Sequence, residues 1–432
     1  MSEQIELSGM ATQPTVAAPV NRGERIAAVD ILRGVAVLGI LVINIEFFAL
    51  PHVTFFNPSL VGGFADLNLL TYKFASALFL QKMMAIFSML FGAGLVLMYE
   101  RFEKTGRRFG KVHYRRVLWL LLIALVHGYL LWYGDILFNY AMIGLLLFLF
   151  RRRTARTLII IGISVLLFGM ALQYGAGFQF KMLKSVAVEV ETARAEGRTP
   201  AQYHIRMAEA WDEIKVMMEP SEVEMASEYE AYRGGYMDNL SHRLPMTMMM
   251  QSQAFLSFLL WRAGGLMLLG MGLMKLGVFS AKRTTRFYIM LSLSGYAIGL
   301  PLSITGTNAM IAHDFDLVHC FMIGNQFRYV GSVLVALGHV GVVMLLCKLG
   351  ILDSLKRCLA AVGQTALTNY LTQTLICTTI FYGYGLGLFG SIERFHLLWF
   401  VLGMWILQLV ISPLWMKRYR FGPAEWVWRS LT

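Results

Sequence analysis

From residue 31 to residue 416 the chain alternates long apolar runs with short polar connections. Apolar runs of about 20 residues match the length needed to cross ~30 Å of hydrocarbon. The pattern predicts about ten helices, near 31–50, 74–99, 117–133, 136–150, 157–177, 253–277, 286–305, 328–347, 361–383 and 397–416. The third and fourth are short and share a tight Gly134-Asp135 turn. The expected fold is all-α: a polytopic membrane protein with an N-terminal transmembrane bundle (25–177), a long helical connection (178–252) and a C-terminal transmembrane domain (253–432). Residues 1–24 are polar and small, lack the basic start and apolar run of a signal peptide, and read as a disordered cytoplasmic tail.

Charge assigns the sides. Cytoplasmic connections of membrane proteins are enriched in Lys and Arg. Here Arg101, Lys104, Arg107, Arg108, Lys111, Arg115 and Arg116 fill one connection and RRRTAR (151–156) the next on that side. Lys282, Arg283 and Arg286, then Lys348, Lys356 and Arg357, then Lys417, Arg418 and Arg420 continue the alternation. Both termini are therefore expected in the cytoplasm. The connection 178–252, rich in Glu between Ala and Met, falls outside as amphipathic helix. It fits either a solvated spacer or a cap over a substrate entrance.

With 57% hydrophobic residues, composition agrees with a membrane protein. The net charge of +12 lies in short clusters beside apolar spans, which favours a topological role over nucleic-acid binding. Cys320, Cys347, Cys358 and Cys377 lack CxxC spacing and read as small core residues. HDFDLVH (313–319) lacks the paired histidines of a helical zinc site, and no metal is expected. FGAGL (91–95) and RAGGLMLLGMGLMKLG (262–277) lie within apolar helices, where small residues serve close packing.

An ionisable group in hydrocarbon costs about 2.5–3.5 kcal/mol on insertion scales, so each needs a partner or a purpose. The topology places Asn44, Glu46, Lys82, His127 and Asp135 in one layer near the outer face. Glu46 or Asp135 is expected to pair with Lys82, which leaves His127 able to act as a base. A structural ion pair beside a hydrogen-bonded histidine is the plainer alternative. Trp132 and Asn139 flank this layer as substrate contacts. Arg328 stands at the outer end of a later helix, and Thr365, Asn369 and Gln373 form an i, i+4, i+8 polar stripe. That stripe suits helix–helix adhesion as well as substrate binding.

Several motifs occur together. VDILRGVAVLGILVIN (29–44), QKMMAIFSMLFGAGL (81–95), HGYLLWYGDIL (127–137), GQTALTNYLTQTLICTTIFY (363–382) and GPAEWVWRSLT (422–432) resemble the YeiB group of bacterial inner-membrane proteins, with its C-terminal domain of unknown function. The resemblance implies a multi-pass protein of the bacterial cytoplasmic membrane. D-x-x-RG-x-A in the first helix, with Asn44 near its end, is also similar to the heparan-α-glucosaminide N-acetyltransferases. Those enzymes pass an acyl group from cytoplasmic acyl-CoA to an acceptor hydroxyl or amine across the membrane. That likeness implies a base in the first outer loop, here His52, assisted by Asn44.

The expected function is an integral-membrane acyltransferase with His127 or His52 as base. Asp135 or Glu46 would orient the imidazole, and Lys82 or Asn44 would stabilise the oxyanion. Arg107, Arg108, Arg115 and Arg116 would receive the phosphates of acyl-CoA, and a cell-envelope lipid or glycan would accept the acyl group. The alternatives are a proton-coupled transporter of a small amphipathic or anionic solute, which can use the same buried groups as a relay, and a membrane scaffold.

Overall fold

The computed structural model describes residues 26–106 and 109–432; the tail expected at 1–24, together with Arg107 and Arg108, lies outside the described residues. Among the described residues there are helices and no strands. In chain order they are α1 (Ala27–Ala49), α2 (Asp66–Leu78), α3 (Lys82–Lys104), α4 (Phe109–Val126), α5 (Leu137–Leu147) and α6 (Ala155–Ala195). Then come α7 (Gln202–Met218), α8 (Glu222–Arg233), α9 (Tyr236–Gln251), α10 (Leu260–Lys275), α11 (Thr285–Ala312) and α12 (Leu317–His319). The last are α13 (Asn325–Lys348), α14 (Asp353–Gln364), α15 (Ala366–Phe381), α16 (Arg394–Arg418) and α17 (Pro423–Ser430).

Among the described residues, eight helical stretches are long and apolar enough to cross a membrane. The chain is a multi-pass helical membrane protein. The two other expected segments are shorter pieces. Leu137–Phe150 is a brief apolar helix, and the segment expected at 361–383 is broken at Thr365 into α14 and α15. Glu425 holds this break open: its carboxylate accepts the Leu367 and Thr368 N–H groups at 2.7 and 3.1 Å and caps the start of α15. The connection expected from 178 opens as a continuation of α6, which runs unbroken to Ala195 and so extends roughly 60 Å, beyond the hydrocarbon thickness. Its far end packs on α7 through Val190, Ala208 and Trp211.

The core is built on backbone proximity. α10 is buried almost throughout, between α3 and α6. A Cβ on Gly92 would lie 2.0 Å from the Met267 carbonyl oxygen, and one on Gly270 would lie 2.0 Å from that of Met89. The same logic joins α1 to α14, where a Cβ on Gly34 would meet the Leu359 carbonyl at 2.1 Å. Arg33 pairs with Asp30 at 2.9 Å and also reaches the Gly363 carbonyl, so the charged start of α1 is tied down locally. Lipid offers helices no hydrophobic gain from association, so such close approach supplies the adhesion instead.

Gly92→Leu should therefore cost more than the ~1–3 kcal/mol typical of overpacking, because backbone must move. Gly94, on the same helix, would meet nothing within 4 Å, and Gly94→Leu should be tolerated. Thermal melts of the purified variants in detergent read the difference, and equal melting points would contradict this packing.

Candidate functional site

The hairpin between α4 and α5 carries most of the polar chemistry. α4 ends in a wide π-helical turn, His127–Leu131, closed by the Trp132 N–H on the His127 carbonyl at 2.9 Å. Such turns occur often at functional sites. Gly128 allows α9 to approach, since a Cβ there would lie 2.7 Å from Gln251 Nε2.

Within this turn His127 is 1% exposed and holds two partners. Its Nδ1 lies 2.8 Å from Asp135 Oδ1, and its Nε2 lies 2.9 Å from the Thr374 hydroxyl on α15. The second oxygen of Asp135 accepts the Phe138 N–H at 2.7 Å, so one carboxylate both starts α5 and orients the imidazole. An ionised carboxylate fixes the tautomer: Nδ1 donates to Asp135 and Nε2 accepts from Thr374. The result is an acid–imidazole–hydroxyl chain buried between two halves of the protein. Tyr370, one turn before Thr374, packs its ring 5.2 Å from the imidazole. Trp132 stacks on Phe48 at 4.1 Å. Trp132 Nε1 and Asn139 Oδ1 are buried polar atoms with no hydrogen-bond partner among the described residues.

α9 closes this hairpin from above. Arg243, fully buried, donates to the Leu131 carbonyl at 2.5 Å and to that of Leu130. Tyr236 also donates to the Leu130 carbonyl, and Thr247 to that of Gly128. These carbonyls are the unpaired end of α4, which a buried helix terminus must satisfy.

A second carboxylate–imidazole pair lies near the surface. His52 follows α1 in a short turn, and Glu228 of α8 accepts both its backbone N–H (2.8 Å) and its Nδ1–H (2.7 Å). The His52 side chain is 25% exposed and that of Glu228 3%. Asn44, half-buried on α1, makes no side-chain hydrogen bond among the described residues.

The expected pairing of Lys82 with Glu46 or Asp135 is corrected. Glu46 binds Arg394 at 3.0 Å, and Arg394 also holds the Pro58, Val61 and Gly63 carbonyls. Lys82 follows a left-handed Gln81 (φ 65°), which breaks α2 from α3 and folds the ammonium back onto the Ser76 carbonyl at 2.6 Å. It satisfies a helix C-terminus rather than an acid.

Other expected residues lie apart from the chain. Asn369 Nδ2 donates to Ser412 (3.1 Å), and Gln373 Nε2 to Gln408 (3.0 Å) and the Val37 carbonyl (3.2 Å). The amide stripe thus faces α1 and α16 and joins helices. Arg328 sits buried against Met310 on α11. Arg115 donates to the Leu431 carbonyl at 2.8 Å, and Arg116 stacks on Trp428 at 4.4 Å. The carbonyl end of α17 thus engages Arg115, and the Trp428 ring engages Arg116. A cavity of about 680 Å³, whose lining includes neither of these arginines, opens at the basic face between Tyr99, Phe102, Glu103, Phe109, Lys111, Phe148, Arg151 and Arg152. No cluster of His, Cys, Asp and Glu that could hold a metal occurs among the described residues.

Fold and site together define a multi-pass helical membrane protein whose buried acid–imidazole–hydroxyl chain links an N-terminal hairpin to a C-terminal helix. Residues 273–432 match the family model described as "Protein of unknown function (DUF418)". The chain is 30% identical over 416 residues to the Escherichia coli (strain K12) protein called "Uncharacterized protein YeiB", covering 95% of this chain and 96% of that one. It is also 30% identical over 429 residues to the Bacillus subtilis (strain 168) "Uncharacterized protein YxaH", with 96% of each covered. The chain belongs to this YeiB family. No solved structure matches it.

Removing Arg243 as Arg243→Leu should strand the carbonyls of Leu130 and Leu131, at roughly 1–3 kcal/mol for each buried group left unpaired. A lowered melting point with faster proteolysis between α7 and α9 is expected. An unchanged melt would mean that α9 does not hold the hairpin.

Proposed function

We propose that the protein is an integral-membrane acyltransferase of the bacterial cytoplasmic membrane. It moves an acyl group from acyl-CoA at the basic, cytoplasmic face to a hydroxyl or amine acceptor, a cell-envelope lipid or glycan, at the other face. The observation that carries this reading is the Asp135–His127–Thr374 chain, in which Nε2 already engages a hydroxyl at 2.9 Å.

Thr374 Oγ marks where an acceptor oxygen would lie. With Asp135 holding Nδ1, His127 takes the proton of the acceptor as its oxygen attacks the thioester carbonyl. The carbonyl electrons collapse back, the C–S bond breaks, and the imidazolium returns the proton to the CoA thiolate. The products are the acyl ester, or the amide from an amine, and free CoA thiol. Trp132 Nε1, a buried donor on a ring 6.5 Å from the imidazole, supplies a partner for the developing oxyanion. His52, oriented by Glu228, is the alternative base.

The cavity at the basic face supports the donor. Lys111, Arg151 and Arg152 provide cations for phosphates, and the Phe and Tyr rings provide faces for an adenine. From Lys111 to His127 along α4 is roughly 24 Å.

One observation favours a second reading. Val117, Leu120 and Ala124 are packed and buried on the stretch of α4 between cavity and imidazole. A buried proton relay behind a closed core also suits a proton-coupled transporter.

Purified protein should release CoA thiol from acyl-CoA, and His127→Ala should reduce that rate about 10²–10⁴-fold, the usual contribution of a general base. Thiol release at the same rate in both His127→Ala and His52→Ala would refute the acyltransferase. A solute flux driven by a pH gradient, without thiol release, would establish the transporter.

A further inference from the structure

A second cavity, of about 490 Å³, lies far from the hairpin, between α6 and the turn that leads from α11 into α13. Lys181, Lys184, His313 and His319 line one part of it, and Tyr174, Met322 and Ile323 another. Its two ends differ in a way that a membrane interface explains. From Thr157 to Phe180 α6 carries no charge, a run of roughly 36 Å, slightly more than the hydrocarbon thickness. Lys181 and Lys184 therefore stand at headgroup level. Below them Tyr174, Phe178 and Ile323 are exposed apolar side chains, the expected neighbours of acyl chains.

The cavity is built by tight local packing. Gly177 allows Phe321 and Met322 to approach α6, since a Cβ there would lie 2.8 Å from Met322 Cγ. Phe180 meets Phe321 edge-on at 5.2 Å. On the polar side the His313 and His319 rings stack at 3.5 Å. Asp316 accepts from Lys184 at 2.6 Å and caps the His319 N–H at 3.0 Å. Partial burial alone would raise the Asp316 pKa, but the Lys184 and His319 hydrogen bonds and charges outweigh it and hold the carboxyl below its usual range. Asp316 is therefore already occupied as an anion. Lys181 has no carboxylate partner among the described residues, and Lys184 retains further N–H donors.

We propose that this cavity binds the phosphate of an anionic phospholipid headgroup, with Lys181, Lys184 and the two imidazoles as donors and the lipid chains lying along Tyr174 and Ile323. The site is independent of the acyl-transfer reading.

Native mass spectrometry of the full chain, extracted from vesicles of mixed phosphatidylglycerol and phosphatidylcholine, tests it. Phosphatidylglycerol should be retained preferentially. Lys181→Ala should weaken retention about fivefold, and Lys181→Ala with Lys184→Ala about 25-fold, since each basic residue at a membrane surface contributes a similar increment. Lys282→Ala, at the basic face, should leave retention unchanged. Equal retention of the two lipids, or wild-type retention in the double variant, overturns the proposal. Binding of inorganic phosphate to the lipid-free protein, without competition from phosphatidylglycerol, would assign the site to free phosphate and overturn the lipid.

Discussion

Asp135 holds the His127 imidazole with one carboxylate oxygen and the start of α5 with the other. A carboxylate enclosed in apolar surroundings is costly unless each of its oxygens is engaged, and unpairing it is costlier still. This one side chain thus fixes the angle of the hairpin, the tautomer of the histidine and the place where α15 must bring a hydroxyl. The rest of the site follows. α15 starts where Glu425 caps it, just after a break that lets the helix pass the hairpin at the level of Thr374. α17, which carries Glu425, is in turn held by Arg115 and Trp428 to α4. The carboxyl-terminal motif and the hairpin motif are therefore mechanically one unit.

The same demand for partners organises the polar residues that do no chemistry. Arg243 answers the open carbonyls of α4, Arg394 those of the 58–63 loop, and Lys82 that of Ser76. Each of these three serves backbone at a helix or loop end, where hydrocarbon provides no water to do so. Buried charge alone is thus weak evidence of catalysis in this protein. What distinguishes His127 is that one imidazole nitrogen meets a carboxylate while the other faces a hydroxyl.

Hydrophobic periodicity made the helical membrane fold legible, because spans of the right length differ plainly from their connections. The glycine-rich runs were equally readable as packing surfaces, and Gly92 and Gly270 carry that out. His127 and Asp135 stand out as members of one polar layer, with Asp135 or Glu46 open as the partner of the imidazole. Partners brought by distant segments could not be read. Glu228 looked like one more acidic residue of a solvated helix, yet it meets His52 from 176 positions away. Lys82 was assigned an acid because depth alone was considered, whereas the left-handed Gln81 turns it towards Ser76. Thr374 was hidden beside the amide stripe. Tyr370, Thr374 and Thr378 repeat at i and i+4, and that parallel hydroxyl stripe is the signal that marks the face turned to the hairpin.

A cationic, aromatic cavity stands at one end of α4 and a buried imidazole at the other. The proposed reaction passes an acyl group between them while His127 carries the proton from the acceptor to the CoA thiolate. Sealed inverted membrane vesicles bearing the protein, supplied outside with acyl-labelled CoA, test this directly. The account predicts that label appears covalently on an acceptor within the vesicle, and that it fails to appear with His127→Ala. Label that remains on CoA in wild-type vesicles would contradict it.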